Sequence, residues 1–246
     1  MDLFSLPPVA AILHAAYGAL LWLTGILTPF AGTAAAAAAV VLVTLLVRAA
    51  LIPVGVSQAK AEQTRARLAP KLRAVQERHR RDPERLQRET MKLYRDENAS
   101  PFAGCLPLLV QAPVVGVIYA LFLHTTIDGS ANALLSETLF GVPLGSSLFG
   151  SVAHSALDST TALVLGAVVL LIAAVGELTR RMLRPPTPAE GAPLAAGVTR
   201  LAGVLQFATA GIALFVPLAA GIYLLVTVAW TLIQRVVLRR RYPIGA

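Results

Sequence analysis

The sequence predicts an all-α, polytopic membrane protein with five transmembrane helices and a cytoplasmic helical hairpin. Of its 246 residues, 56% are hydrophobic and only 14% are charged, and the mean hydropathy is +0.69, far more apolar than a soluble domain of this length. All 21 Lys and Arg residues fall within residues 48–95 and 180–241. Because loops that stay in the cytoplasm hold the Lys and Arg of a membrane protein, these two windows predict the cytoplasmic side.

Five apolar segments are long enough to cross about 30 Å of hydrocarbon as helices of roughly 20 residues. An open sheet cannot span lipid, and the sequence shows no alternating ten-residue strands, so the spans are predicted to be helical. The last two segments meet at Pro217 and form a tight helical hairpin. The predicted spans are approximately 32–53, 103–124, 159–182, 199–216 and 218–238.

The predicted organisation along the chain has four parts. Residues 1–31 form an N-terminal, extracytoplasmic helix in the membrane interface, and residues 32–56 form the first transmembrane helix. Residues 57–100 form the cytoplasmic hairpin. Residues 101–246 supply the other four transmembrane helices, with an outer loop at 125–158 and a short basic tail.

The first apolar stretch, residues 6–28, has two interpretations. It is apolar enough to span the membrane, and a sixth crossing would place the amino terminus inside. A weak polar stripe at helical spacing instead favours a helix lying in the outer interface. The stripe consists of His14, Gly18, Gly25 and Thr28.

The segment 57–99 is charged and differs from its apolar surroundings. It carries 12 Lys and Arg against 7 Asp and Glu, with a thin apolar seam that includes Leu68. Asp82 and Pro83 interrupt it, because proline fits the first turn of a helix and not its interior. We expect two antiparallel helical arms, a kink at Pro70 and high mobility. A solvated charged loop is the alternative.

Arg48 lies inside an apolar run, five residues before Pro53 and therefore about 7–8 Å into the predicted span. An arginine at such a depth costs about 2.5–3.5 kcal/mol on insertion scales, so it should face protein or a water-filled cavity. Alternatively, its long side chain reaches the headgroups. Thr44, four residues earlier on the same helical face, favours a polar surface inside the bundle.

Further polar residues lie in the other predicted spans. Gln111 lies between Pro107 and Pro113, and Gln206 and Tyr223 belong to the last two spans. Prolines release backbone carbonyls at membrane depth, and a nearby glutamine can bind them. Each of these residues is interpreted either as a helix-packing residue or as part of a polar groove.

Signatures of enzymes and of bound cofactors or metals are missing from the sequence. It contains neither a phosphate-binding loop nor a His-Glu-x-x-His zinc motif. Cys105 is the single cysteine, and its apolar surroundings argue against a metal site. We therefore predict a protein that is not an enzyme and has no cofactor. Its basic segments suit anionic lipids or ribosomal RNA better than DNA.

Two stretches of the sequence resemble the YidC/Oxa/Alb family of membrane protein insertases. The first contains Thr44, Arg48, Pro53, Gln58 and Pro70. The second is Ser100–Pro113, whose Gly-Cys-Leu-Pro-Leu-Leu-x-Gln-x-Pro run is highly specific. The spacing of Pro217, Tyr223 and Gln234 also resembles the last span of that family. The usual glycine after this proline is displaced to Gly221, and Leu224 replaces a second aromatic residue.

The resemblance implies a function and a site. It implies a compact insertase of the Gram-positive or actinobacterial type in the bacterial plasma membrane, which inserts and helps to fold other membrane proteins without nucleotide hydrolysis. Five helices would enclose a groove open to cytoplasm and lipid and closed outside, lined by Arg48, Thr44, Gln111, Gln206 and Tyr223. Nascent membrane proteins would be its substrates. The Sec translocon, the ribosome, signal-recognition components and membrane lipids would be its other partners.

Two other classes of protein remain as alternatives to an insertase. A small-solute channel or transporter could use Arg48 as an anion site. Transporters commonly show two similar halves with broken helices at matching positions, and the sequence has no such repeat. A structural scaffold would have no need of a buried arginine. The surroundings of Arg48 therefore discriminate between the three.

Overall fold

A computed structural model describes residues 7–97, 99–100, 116–117, 119–127, 130–183 and 207–241. The chain divides into two compact units. The first comprises residues 1–49 and 115–233, and the second comprises residues 50–114 and 234–246. The described residues are mostly helical, which confirms the predicted class.

The first helices of the chain are α1 (Pro7–Ala31) and α2 (Ala35–Ala50), separated by a 3-10 turn at Gly32–Ala34. Gly32 has a φ of +54°, a left-handed conformation that glycine adopts without a Cβ clash. The next helix, α3, begins at Ile52. Because Pro53 has no N–H and its ring would crowd the carbonyl of Ala49, α2 cannot continue through it. The helical part of the first predicted span is thus shorter than 32–53.

Two later long helices are α7 (Ser159–Met182), which lies in the first unit, and α9 (Leu218–Arg241), which begins in the first unit and ends in the second. Helix α7 coincides with the third predicted span and ends in Arg180 and Arg181. Asp158 caps it by accepting hydrogen bonds from the N–H groups of Thr160 and Thr161, at 3.3 and 3.2 Å, as an N-cap aspartate does. Helix α9 ends in three arginines.

Three stretches of the described chain are long and apolar enough to cross a membrane. They are Ala10–Ala50, which includes α1 and α2, together with α7 and α9. Most of the predicted span 103–124 and the first half of 199–216 lie outside the described residues. Of the latter, the structure describes a short helix, α8 (Ala208–Ala213). The number of five spans, and the choice between an interfacial and a spanning α1, stay predictions.

A small apolar core joins α7, α8 and α9 in the first unit. Ile172 of α7 is buried with Ala210 and Ala213 of α8, and Leu225 and Val228 of α9 pack against them. Gly221 lets α9 approach α7 closely, since a Cβ there would lie 3.3 Å from Val168 Cγ1. The displaced glycine noted in the sequence is therefore at a close helix contact.

The connection before α7 is folded, and we call residues 124–127 and 130–158 the cap. It contains two short antiparallel pairs, β1 (Thr126–Ile127) with β2 (Ser130–Ala131) and β3 (Thr138–Leu139) with β4 (Val142–Pro143). Short helices α5 (Ala133–Ser136) and α6 (Leu148–Ala153) complete it. The sequence predicts an outer loop at 125–158, and these short strands and helices are not predicted from it.

Backbone hydrogen bonds attach the cap to the residues around the start of α9. The N–H groups of Leu218 and Ala219 donate to the carbonyls of Ser146 and Leu144, at 2.8 and 2.9 Å. The N–H of Phe149 donates to the carbonyl of Leu214 at 2.9 Å. The bonds donated by Leu218 and Ala219 use N–H groups in the first turn of α9 that have no partner within the helix itself.

The second unit contains a helical hairpin of α3 (Ile52–Arg78) and α4 (Pro83–Asp96). Asp82 caps α4 by accepting from the N–H of Arg85 at 2.9 Å, and Pro83 is the first helical residue. Helix α3 continues through Pro70, and Leu68 is its one fully buried side chain. Within α4, all of which is described, no side chain is fully buried.

Candidate functional site

The first part of the candidate site is one face of α2. Val40, Thr44 and Arg48 follow each other at intervals of four residues and therefore lie on one side of the helix. Val40 and Thr44 are each 2% exposed, and Arg48 is half-buried. The opposite side carries the exposed residues Leu42, Leu45 and Leu46. Arg48 thus lies on the face of α2 that packs inside the protein.

The hydroxyl of Thr44 is bonded within its own helix. Its Oγ1 donates to the carbonyl of Val40 at 2.6 Å, the usual way in which a threonine hydroxyl is satisfied in apolar surroundings. Because a hydroxyl oxygen also accepts, Thr44 can still bind a donor on this face. Together, Thr44 and Arg48 give an apolar helix one polar edge.

The second part of the candidate site is a face of α9. Tyr223, Thr227 and Trp230 follow the i, i+4, i+7 pattern of a single helical face. Tyr223 is 3% exposed. Thr227 Oγ1 and Trp230 Nε1 are buried and have no hydrogen-bond partner among the described residues. A buried polar atom without a partner costs about 1–3 kcal/mol, so this face is suited to receive a polar group.

The predicted groove residues are described to different extents. Thr44 and Arg48 lie on the packed face of α2, and Tyr223 is buried on α9. Gln111 and Gln206 lie outside the described residues. Tyr223 was predicted from the sequence and Trp230 was not, although the i, i+7 spacing of these two residues is visible in the sequence.

The hairpin residues predicted from the sequence have structural roles at the turn and within α3. Asp82 and Pro83 begin α4, and Pro70 is an exposed residue inside α3. Whether α3 is kinked at Pro70 stays a prediction.

Glu97 closes the open end of the hairpin, a role that was not predicted from the sequence. Its carboxylate accepts a hydrogen bond from Lys71 and forms an ion pair with Arg67 at 3.4 Å. The hydrogen bond from Lys71, helped by both cationic charges, holds the pKa of Glu97 below its usual value. Since the partners are 26 and 30 residues away in sequence, no local pattern could have indicated this contact.

The second unit also holds the base of α3 against the end of α9. A Cβ on Gly55 would lie 2.0 Å from Gln234 Nε2, so the amide of Gln234 occupies the space beside this glycine. Seven residues further along α3, Glu62 Oε1 lies 3.0 Å from Arg239 Nη2. Two contacts therefore hold the first three turns of α3 on α9.

Comparison with known proteins decides the family. Residues 27–244 match the family described as the 60Kd inner membrane protein. The chain belongs to this family. The match includes α2, α3, α4, α7 and α9, whereas most of α1 precedes it. The resemblance to the YidC/Oxa/Alb insertases is thereby confirmed.

Individual relatives of this family align over shorter stretches. "Membrane protein insertase YidC" of Clostridium perfringens is 39% identical over 85 residues, 35% of this chain and 36% of that protein. The protein of the same name from Streptomyces avermitilis is 31% identical over 112 residues, 46% of this chain and 26% of its own. "ALBINO3-like protein 1, chloroplastic" of Arabidopsis thaliana is 36% identical over 105 residues, 43% of this chain and 20% of its own. The chain thus spans about a third or less of the length of these relatives.

Proposed function

We propose that this member of the family is a membrane protein insertase, which moves segments of other integral membrane proteins into the bilayer without hydrolysing a nucleotide. The family match and the names of the relatives support this function. The observation that carries it is Arg48, a half-buried arginine on the packed face of an apolar helix beside the buried Thr44. No observation favours the alternative of a solute channel or transporter.

The proposed site is a polar groove lined by the two faces described above. Arg48 and Thr44 contribute from α2, and Tyr223 contributes from α9 together with Thr227 and Trp230. Gln111 and Gln206 complete the proposed lining. Such a groove shortens the apolar distance that a polar tail must cross, because the tail finds hydrogen-bonding partners within the membrane.

Arg48 supplies the charge of the proposed groove. Arginine remains protonated at any physiological pH, so its attraction for a carboxylate does not depend on a proton. Charges within a protein interact more strongly than in water, since the effective dielectric constant is lower. An acidic or polar tail of a substrate would therefore dock beside Arg48, and partition of its own apolar segment into lipid would complete the transfer.

We further propose an orientation for the chain. The arginine-rich ends of α7 and α9 and the basic hairpin lie in the cytoplasm, as the positive-inside rule requires. The cap then lies outside and closes the groove at that end. Nascent membrane proteins are the substrates, and the mobile hairpin receives them. The ribosome, signal-recognition components, the Sec translocon and anionic lipids are the partners that suit the basic segments.

The proposal is tested by insertion into liposomes. A single-span substrate with an acidic outer tail is scored by protease protection with three variants of Arg48. We expect Arg48→Lys to retain most activity, because lysine presents the same charge at similar reach. Arg48→Ala and Arg48→Glu should lose about tenfold or more, the equivalent of about 1.4 kcal/mol.

A matched control distinguishes the loss of the positive charge at Arg48 from the loss of a positive charge elsewhere on the protein. Arg235 on α9 is exposed, so Arg235→Ala should insert like the wild type. If Arg48 instead serves only to reach the headgroups, Arg48→Ala removes a costly charge from the membrane and leaves insertion intact. Full activity of Arg48→Ala with acidic-tailed substrates would therefore refute the groove mechanism.

A further inference from the structure

Exposed phenylalanines lie at one end of the apolar helices. The structure describes six phenylalanine side chains, and four of them are more than half exposed. None of the four lies in α2, α7, α9 or the hairpin. Phe30 is the last residue but one of α1, two residues before the 3-10 turn, whereas Phe140 and Phe149 belong to the cap and Phe215 lies three residues before α9. Their exposed fractions are 86% for Phe30, 73% for Phe140, 59% for Phe149 and 61% for Phe215.

The contacts of the cap place its two phenylalanines near the starts of α2 and α9. The rings of Phe149 and Phe215 have their centroids 5.1 Å apart and are tilted by 40°, within the range of favourable aromatic pairs. The backbone bond from Phe149 to Leu214 fixes this pair. Strand β3 lies against the 3-10 turn, which places its hairpin at the start of α2.

Phe140 has a backbone conformation that its side chain does not favour. It has a φ of +53°, and Gly141 after it has a φ of +83°. Two positive φ angles in a two-residue hairpin loop are typical of a type I′ turn, for which Asn-Gly is preferred. A bulky residue in this region is a strained outlier, and such residues mark functional positions. The turn itself gives no reason for a phenylalanine.

We propose that the cap is seated in the headgroup and upper acyl region of the bilayer, with Phe30, Phe140, Phe149 and Phe215 as its lipid contacts. This goes beyond the proposed insertase function, since it requires only that α7 and α9 cross the membrane. Lipid is the occupant because the exposed aromatic residues continue the apolar surface of a predicted span. The exposed apolar surface of α7 begins one turn after its first residue, where Leu163 is 72% exposed. The aromatic residues of the cap extend this surface beyond the end of the helix.

The charge of the cap agrees with this location. Residues 96–179 contain no Lys or Arg, so no cationic side chain on this segment opposes partial immersion. Phenylalanine is among the apolar residues with which interfacial segments enter the boundary between headgroups and acyl chains. A partner protein would need an apolar surface that follows the rims of several helices, whereas the outer leaflet supplies one without any specific fit.

Tryptophan fluorescence measures the depth of each side chain. The full chain, with Trp22→Phe and Trp230→Phe to remove both native tryptophans, is placed in phosphatidylcholine and phosphatidylglycerol liposomes. In that background we expect Phe140→Trp, Phe149→Trp and Phe215→Trp each to give blue-shifted emission, quenched by lipids with a nitroxide near the headgroup. Ser130→Trp, at an exposed polar position of β2, should be quenched more by aqueous acrylamide.

Two results would overturn the proposal. The first is water-like emission at all three positions with no quenching by lipid nitroxides. The second is protection from acrylamide in native membranes but not in liposomes, which would show that a protein covers these residues. Neither result bears on insertion, so the proposed function would remain separately testable.

A second variant separates lipid contact from backbone strain. Phe140→Asn suits the turn better than phenylalanine but removes the apolar group, whereas Phe140→Leu keeps an apolar group. If Phe140 is seated in lipid, amide exchange of β3 and β4 in liposomes should be faster in Phe140→Asn than in Phe140→Leu. If backbone strain alone matters, amide exchange of β3 and β4 should be slower in Phe140→Asn than in the wild type. That result would reject the proposal that Phe140 contacts lipid.

Discussion

The hairpin and the cap are both connections between apolar helices, yet they are stabilised in different ways. Residues 57–99 carry 19 charged side chains, and the open end of the hairpin is closed by ion pairs of Glu97 with the mostly exposed Lys71 and Arg67. The cap uses backbone hydrogen bonds and a buried asparagine. Asn132, which is 4% exposed, donates from Nδ2 to the carbonyls of Leu121 and His124 at 2.7 and 3.0 Å.

This difference predicts different stability for the two connections. Exposed ion pairs contribute little, because water and salt screen them and two long side chains must be ordered. Buried hydrogen bonds are costly to break, because the groups left behind find no water. The cap should therefore open rarely and the hairpin often. A hairpin that opens readily suits the reception of diverse substrates, and a rigid cap suits closure of the proposed groove.

The largest effect is expected from Asn132→Ala in the cap. The substitution leaves two carbonyls without their donor and removes the acceptor of the Leu134 N–H at 3.2 Å. We expect a loss of about 3 kcal/mol in the free energy of unfolding, measured by denaturant titration in detergent. Ser136→Ala, which removes an exposed hydrogen bond to Ala133, should cost less than about 0.5 kcal/mol. Equal effects of the two variants would mean that the buried hydrogen bonds of Asn132 stabilise the cap no more than an exposed one does, and would remove the reason to expect a rigid cap.

The helices were predictable from the sequence because their signals are local. The predicted third span has the bounds that α7 has, since Asp158 and Arg181 mark its ends. Arg48 and Thr44 were found because four-residue spacing places them on one helical face. The family followed from short motifs and is confirmed by the match over residues 27–244.

The cap and the closure of the hairpin were not predictable for a shared physical reason. Strands of two residues are too short to show an alternating pattern. Their order depends on contacts distant in sequence, such as that between Leu144 and Ala219. The same is true of Glu97 with Lys71 and of Gly55 with Gln234. A single sequence reveals the polarity of such residues but not their partners.

A medium effect is expected at the base of the hairpin, where Gly55 meets Gln234. Gly55→Ala places a Cβ 2.0 Å from Gln234 Nε2, so the amide must move. We expect a destabilisation of about 1 kcal/mol, at the low end of overpacking costs because the end of a flexible side chain can yield. Amide exchange at residues 52–62 measures it. The double variant Gly55→Ala with Gln234→Ala should recover most of the loss.

Gly25→Ala is the matched control for this contact. A Cβ at Gly25 would meet nothing within 4 Å, so alanine there should stabilise helix α1 by up to about 1 kcal/mol. If Gly55→Ala also stabilises the protein, the base of the hairpin is not held at this point, and the hairpin is loose along its whole length.

The smallest effect is expected from Glu97→Gln at the open end of the hairpin. Because the pKa of Glu97 is lowered in the folded protein, its contribution is fully present above 4.5, its ordinary value. It disappears as the pH falls through the lower, folded-state pKa. Glu97→Gln should therefore speed amide exchange of α4 at neutral pH, modestly and less so in high salt. Glu84→Gln, which removes an exposed pair with Arg88 within α4, should not. Exchange of α4 as slow as that of α7, unchanged by Glu97→Gln, would mean that the hairpin is as rigid as the cap.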